Sequence, residues 1–153
     1  MNNNLRSSKV IGYLILVVQV GGLAALVLGV HTMMSVFSGS MPENQDVEII
    51  FEDPVRIPYD LKPRNDGYLE ADFSMSISVL TMDGMELASD SEQISIQPHT
   101  QETLELELTM PLAEAQQYLQ SGANISWIIS VKVTTLYGLI SFSDTITTSG
   151  GLQ

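Results

Sequence analysis

The chain has 153 residues and a mass of 16.7 kDa, with 6 Lys plus Arg against 18 Asp plus Glu and a net charge of -12. That length suits one domain, 44% hydrophobic and 16% charged residues suit a folded one, and the acidic excess argues against nucleic acid, whose phosphates are held by Lys and Arg. The absence of cysteine excludes disulfides, Cys-ligated zinc, iron–sulfur clusters and a thiol nucleophile, and two histidines, His31 and His99, leave little room for metal or acid–base chemistry.

Residues 1–9 are polar and carry Arg6 and Lys9; they read as a cytoplasmic tail. Residues 10–30 (VIGYLILVVQVGGLAALVLGV) hold no charge and one polar side chain, Gln19. At about 1.5 Å per residue this stretch spans roughly 31 Å, the thickness of a bilayer's hydrocarbon core. It predicts a single transmembrane helix. A signal peptide's apolar region is about 7–15 residues long, so the length favours an uncleaved anchor. Arg6 and Lys9 precede the helix, and no Lys or Arg follows until Arg56. The positive-inside bias therefore places the remainder outside, at the cell surface. Without Arg6 and Lys9 the external part keeps 4 basic and 18 acidic residues, a net charge of -14.

Within the helix Gly21, Ala25 and Gly29 recur every four residues. Small side chains at that spacing form a smooth stripe on which a second helix can pack closely. They are the candidate helix-packing residues. Ser, Gly, Pro and Asn in residues 31–46 predict a non-helical stalk, with His31 marking the helix end.

Residues 47–149 then read as an all-β domain. Val47–Phe51 and Val55–Tyr59 suggest one first strand interrupted at Pro54. Leu69, Ala71, Phe73, Met75, Ile77 and Val79 alternate with polar residues, the pattern of a half-buried strand. Asp83-Gly84 is a strong hairpin signal, because Gly and Asp tolerate the positive φ of a tight primed turn. Short strands follow at 85–89 and 92–97, the second turning Ile94 and Ile96 inward. Pro98-His99-Thr100 is a turn, and Leu104, Leu106, Leu108 and Met110 mark the inward side of strand 103–110.

Pro111 to Gly122 suggests a helix of two or three turns, with Leu112, Ala115 and Leu119 on one side. Strand 124–136 points Ile125, Trp127, Ile129, Val131 and Val133 inward. Tyr137-Gly138 turns the chain, and strand 139–148 points Ile140, Phe142 and Ile146 inward. Residues 150–153 are a tail. Seven or eight strands at regular spacing predict a fibronectin- or immunoglobulin-like antiparallel sandwich with one short helix. Trp127 and Phe73 are its bulkiest expected core residues.

The order of these features resembles a known family. A strand of alternating apolar residues leads into TMDGMELAS, followed by ISIQPHT, the strand LELELTMP, a short helix and two closing strands. This resembles the late-embryogenesis-abundant type of β-sandwich, the water-stress and hypersensitive-response domain, as in membrane-anchored archaeal proteins. The resemblance covers about Val47 to Thr148 and implies a fibronectin-like fold without catalysis.

No catalytic constellation is visible. His99 lacks a G-x-S-x-G partner motif, and no Gly-rich phosphate loop is present outside the membrane segment. Glu43, Asp46, Glu48, Glu52 and Asp53 cluster near the stalk but lack a calcium-loop pattern, so they read as a solvated face. No metal or other cofactor is expected. Asn124-Ile125-Ser126 is an N-glycosylation sequon on the expected outer side.

The expected function is therefore that of a membrane-anchored, non-catalytic interaction or structural module. Its expected partners are the lipid bilayer and a protein or second copy, met through the helix and the sandwich edges. The edge near 85–97 and the loops around Asn65 and His99 are the first places to look. A surface-filament subunit and a water-stress protectant are the rival readings.

Overall fold

The computed structural model describes residues 3–40, 49–120 and 125–149. Helix α1 runs unbroken from Asn3 to Gly39, 37 residues. Strands β1 (Val55–Leu61), β2 (Ala71–Thr81), β3 (Glu86–Ile96) and β4 (Leu104–Met110) follow. A single helical turn, α2 (Leu112–Ala115), passes into a π-helical turn at Gln116–Gln120. Strands β5 (Ile125–Thr135) and β6 (Ile140–Ser149) close the chain.

The strands form two antiparallel sheets, one of two strands (β1-β4) and one of four in the order β3-β2-β5-β6. Alternation carries the core. Every second residue of β2, from Ala71 to Thr81, is buried, and β4 shows the same rhythm from Leu104 to Met110. Phe73, Ile96, Leu104, Val133 and Ile125 are fully enclosed between the sheets. The opposite face of the larger sheet is a polar lawn. Ser74, Ser76 and Ser78 of β2 stand beside Ser91 and Ser89 of β3, Ser130 of β5 and Thr145 of β6.

The described residues hold six strands rather than seven or eight. Two of the expected strands, 85–89 and 92–97, are one continuous β3, because all but its first pairing with β2 hold register, from Val79↔Ala88 to Ala71↔Ile96. The expected first strand is also different. Ile50 doubles back and bridges Arg56, its N–H donating to the Arg56 carbonyl at 2.9 Å, so only Val55–Leu61 forms a ladder strand.

Three inward positions prove less enclosed than expected. Trp127 is half-buried and packs on the margin of the core. Phe142 and Ile146 are 36% and 57% exposed. Their register opposite Val133 and Ile129 does turn them to the core side. However, the smaller sheet, two-stranded among the described residues, does not reach β6, whose core side is covered only in part, by α1 through Phe37.

The largest departure is the helix. Residues 31–39, expected as an extended stalk, continue α1. Gly29, Thr32, Val36 and Ser40 are buried at helical spacing, with Ala25, Met33 and Phe37 half-buried beside them. Spacings of three and four put these residues on one face, and that face lies on the β-domain. Tertiary docking thus holds in helical form a segment whose composition suggests a break. Residues 41–46 of the expected stalk, Asn124 and Gly122 lie outside the described residues.

Candidate functional site

The seam between α1 and the β-domain joins small, polar and aromatic side chains from distant parts of the chain. Its closest approach is made possible by glycines on both sides. A side chain at Gly29 would place its first carbon 2.5 Å from Ile140 Cδ1 and 3.0 Å from Leu136 Cδ1. A side chain at Gly67 would collide with Thr32. The Thr32 hydroxyl, fully buried, accepts the backbone N–H groups of Tyr68 at 3.1 Å and Leu69 at 3.2 Å. One turn further, the Ser35 hydroxyl accepts the N–H of Asp66 at 2.8 Å. Phe37 then stacks edge-on against Phe142 with ring centres 4.8 Å apart.

These contacts change the meaning of the small-residue stripe. Gly29 faces β5 and β6, so it belongs to the intrachain seam and presents no surface to a second helix. Ala25 is already half-buried. Gly21 alone of the three has open space around it, with no atom within 4 Å of the place a first side-chain carbon would take.

The loop that meets the helix is held from within. Asn65 is fully buried, and its amide donates to the carbonyls of Leu69 at 2.8 Å and Ile96 at 3.0 Å, while its side-chain oxygen accepts the N–H of Gly67 at 2.9 Å. Its backbone N–H donates to Thr100 and its carbonyl accepts from His99. Asn65 therefore ties the β1–β2 loop to the β3–β4 turn. It is a satisfied structural hub, which replaces the expectation of an exposed recognition loop. The burial follows from the long-range partner Ile96, which no local pattern announces. The adjoining Arg64–Asp66 ion pair, at 2.7 Å, is exposed on both sides and adds little.

The two histidines come together around one ring. Tyr68 lies 5.7 Å from His31 and 5.8 Å from His99, centre to centre. His31 therefore sits within the helix rather than at its end. His99 occupies the expected turn with φ of 60°. No carboxylate holds either ring in the hydrogen bonds of the described residues. Of the acidic cluster, Glu52 and Asp53 are exposed, and Glu43, Asp46 and Glu48 lie outside the described residues.

Two further surfaces flank the seam. The 85–97 edge is not open along its length: the Asp90 carboxylate accepts the N–H of Ser91 at 2.8 Å and, across to β4, that of Glu107 at 2.8 Å. On the other side of the domain, β6 is an edge strand with no neighbour beyond it among the described residues. Beside it Phe37, Tyr59, Leu61, Ile129, Val131 and Ile146 line a largely apolar groove of 230 Å³. Burial there raises the pKa of the Tyr59 hydroxyl above its ordinary value, since the phenolate is poorly solvated.

No protein-family model and no curated protein matches the chain. Several solved structures are similar in part. A protein from Archaeoglobus fulgidus matches with a TM-score of 0.42 at 14% identity, over 69% of this chain and 92% of its own. A solution structure from Arabidopsis thaliana matches with a TM-score of 0.39 at 17% identity, over 73% of this chain and 78% of its own. A beta-glucuronidase of Bacteroides uniformis matches with a TM-score of 0.41 at 9% identity, over 71% of this chain but 12% of the enzyme. The chain thus spans a small part of that enzyme's length, and neither activity nor partner passes from these structures to this one.

Proposed function

We propose that this protein is a single-pass membrane protein that holds a non-catalytic, fibronectin-like sandwich at the outer surface and presents it to a partner. The observation that carries this reading is the continuity of α1. The segment Gly12–Gly39 is long and apolar enough to cross a membrane. Its first part displays apolar side chains outward, such as Leu14, Val17, Val20 and Leu23, each more than half exposed. Its last part is seated on the β-domain through Gly29, Thr32 and Val36. One rigid element therefore serves as anchor and as mount. A mounted domain keeps a fixed height and orientation, which suits presentation better than a flexible tether does. The resemblance to the water-stress domain stays part of this proposal on its motif residues alone.

The orientation rests on Arg6 and Lys9 before the helix. Protease added to intact cells should remove the β-domain and leave the helix. Protection until lysis, in cells with no overlying envelope, would refute the orientation.

A filament subunit is the second reading, because a helix that leaves the membrane and continues onto a β-domain is also what a filament with a helical core requires. Shearing separates the two. Recovery of the chain in the membrane pellet supports the anchored module, and recovery in the sheared surface fraction supports the filament.

A further inference from the structure

We infer that the β5–β6 turn, Leu136-Tyr137-Gly138-Leu139, is a second membrane contact, seated in the headgroup layer beside the anchor helix. The inference rests on the anchor reading above and extends it to the β-domain. Three independent observations carry it.

The first is position. Gly29 of α1 lies against Leu136 and Ile140, so the turn flanks the helix at that level. It also lies at the end of the sheet from which the helix departs: Ala71 pairs with both Ile96 and Thr135, and the adjacent Tyr68 and Leu69 bind Thr32. Counting back from Gly29, a hydrocarbon core of about 30 Å takes about 20 residues and ends near Lys9. Lys9 is the last charge before the apolar run. A cationic residue at one boundary therefore places Gly29, and the turn touching it, at the other.

The second is chemistry. Tyr137 is 105% exposed and Leu139 is 84% exposed. Both side chains stand largely in water, Tyr137 at the rim of a shallow depression that Glu70 and Asp72 also line. From Val133 to Ser143 there is no charged residue, in a chain of net charge -12. An amphipathic ring beside an aliphatic side chain, without charge, matches the interfacial layer, where Tyr concentrates. The acidic domain as a whole is repelled by anionic headgroups, so the lipid that fits is zwitterionic.

The third is backbone strain. Leu136 and Tyr137 have φ of 53° and 55°, followed by Gly138 at 85°. Positive φ at consecutive bulky residues is unfavourable, and turns of this kind usually carry Asn and Gly there. Leu136 is compensated by its packing on the helix at Gly29. The Tyr137 side chain is fully exposed among the described residues, and a lipid surface would cover it.

The chain has no cysteine, so a single introduced cysteine carries a nitroxide at one known place. Full-length Leu139→Cys, Tyr137→Cys, Val17→Cys and Met82→Cys are labelled separately and reconstituted in phosphatidylcholine vesicles. Val17 and Met82 are each 67% exposed, one on the apolar helix and one in the β2–β3 hairpin at the far end of the sheet. Accessibility to oxygen and to a water-soluble nickel chelate is then read by power saturation. The Val17 site should be rich in oxygen and closed to nickel, and the Met82 site open to nickel. The Leu139 and Tyr137 sites should be several-fold less open to nickel than Met82. If both are as open as Met82 while Val17 stays closed, the turn stands off the membrane and the inference fails with the anchor intact. If Val17 is itself open to nickel, the anchor reading fails, and this inference with it.

Discussion

Thr32→Val tests whether α1 is mounted on the β-domain by hydrogen bonds or merely leans on it. The two side chains are nearly the same size, so packing is preserved while the acceptor is removed. Thr32 is fully buried and accepts two backbone N–H groups, from Tyr68 and Leu69. Leaving a buried donor unpaired costs about 1–3 kcal/mol. Both donors here are part-buried and regain some hydration, so we expect Thr32→Val to lose about 2–4 kcal/mol in all. That is a large share of the roughly 5–15 kcal/mol that holds a domain together. Thr32→Ser keeps the acceptor and removes one methyl group, and should cost about 1 kcal/mol. The assay is urea unfolding of the full chain in detergent micelles, followed by the fluorescence of Trp127, the single tryptophan. Both variants should shift the midpoint and leave the slope unchanged. If Thr32→Ser costs as much as Thr32→Val, or if Thr32→Val matches wild type, the hydrogen bonds do not mount the helix.

Gly29→Leu should lower the melting temperature, because even its first side-chain carbon would lie 2.5 Å from Ile140; Gly21→Leu, with nothing nearby, should leave it unchanged. Equal melting temperatures for the two would mean that the seam opens freely. Phe73→Ala should lose about 3–5 kcal/mol by urea unfolding followed by circular dichroism, as fully buried aromatics do, whereas half-buried Trp127→Ala should lose about half as much. An equal or larger loss at Trp127 would show that this side chain is more enclosed than it stands here. Tyr59 gives a pH prediction. Its hydroxyl pKa is raised on folding by burial, so its contribution is fully present below the ordinary value of 10.0 and is lost as pH rises through the folded value. Alkaline titration of the melting temperature should therefore fall less steeply in Tyr59→Phe; identical profiles would remove burial as the cause.

The sequence alone was enough to locate the apolar helix and the strands that bury one face. An unbroken run without charge and a strict two-residue alternation are local patterns, and burial responds to them directly. Ala71–Thr81 and Leu104–Met110 stand as their alternation predicts. A turn also falls at Asp83-Gly84, where Gly84 has the positive φ expected of it, but Asp83 does not, so the turn is not the primed one that the dipeptide predicts.

What the tertiary structure decided is where those faces end and what covers them. Phe142 and Ile146 alternate as a buried strand should, yet lie half open, since the two-stranded sheet does not extend over β6. Asn65 reads as a turn residue, but a carbonyl 31 positions away makes it a buried hub. Gly29 reads as part of a stripe for a second helix, and the partner it meets is β5–β6 of its own chain. In the same way His31 to Gly39 reads as a stalk, and docking keeps it helical. Each of these outcomes depends on a contact between residues far apart in the chain. A local pattern states which surfaces need covering, and only the folded chain determines what covers them.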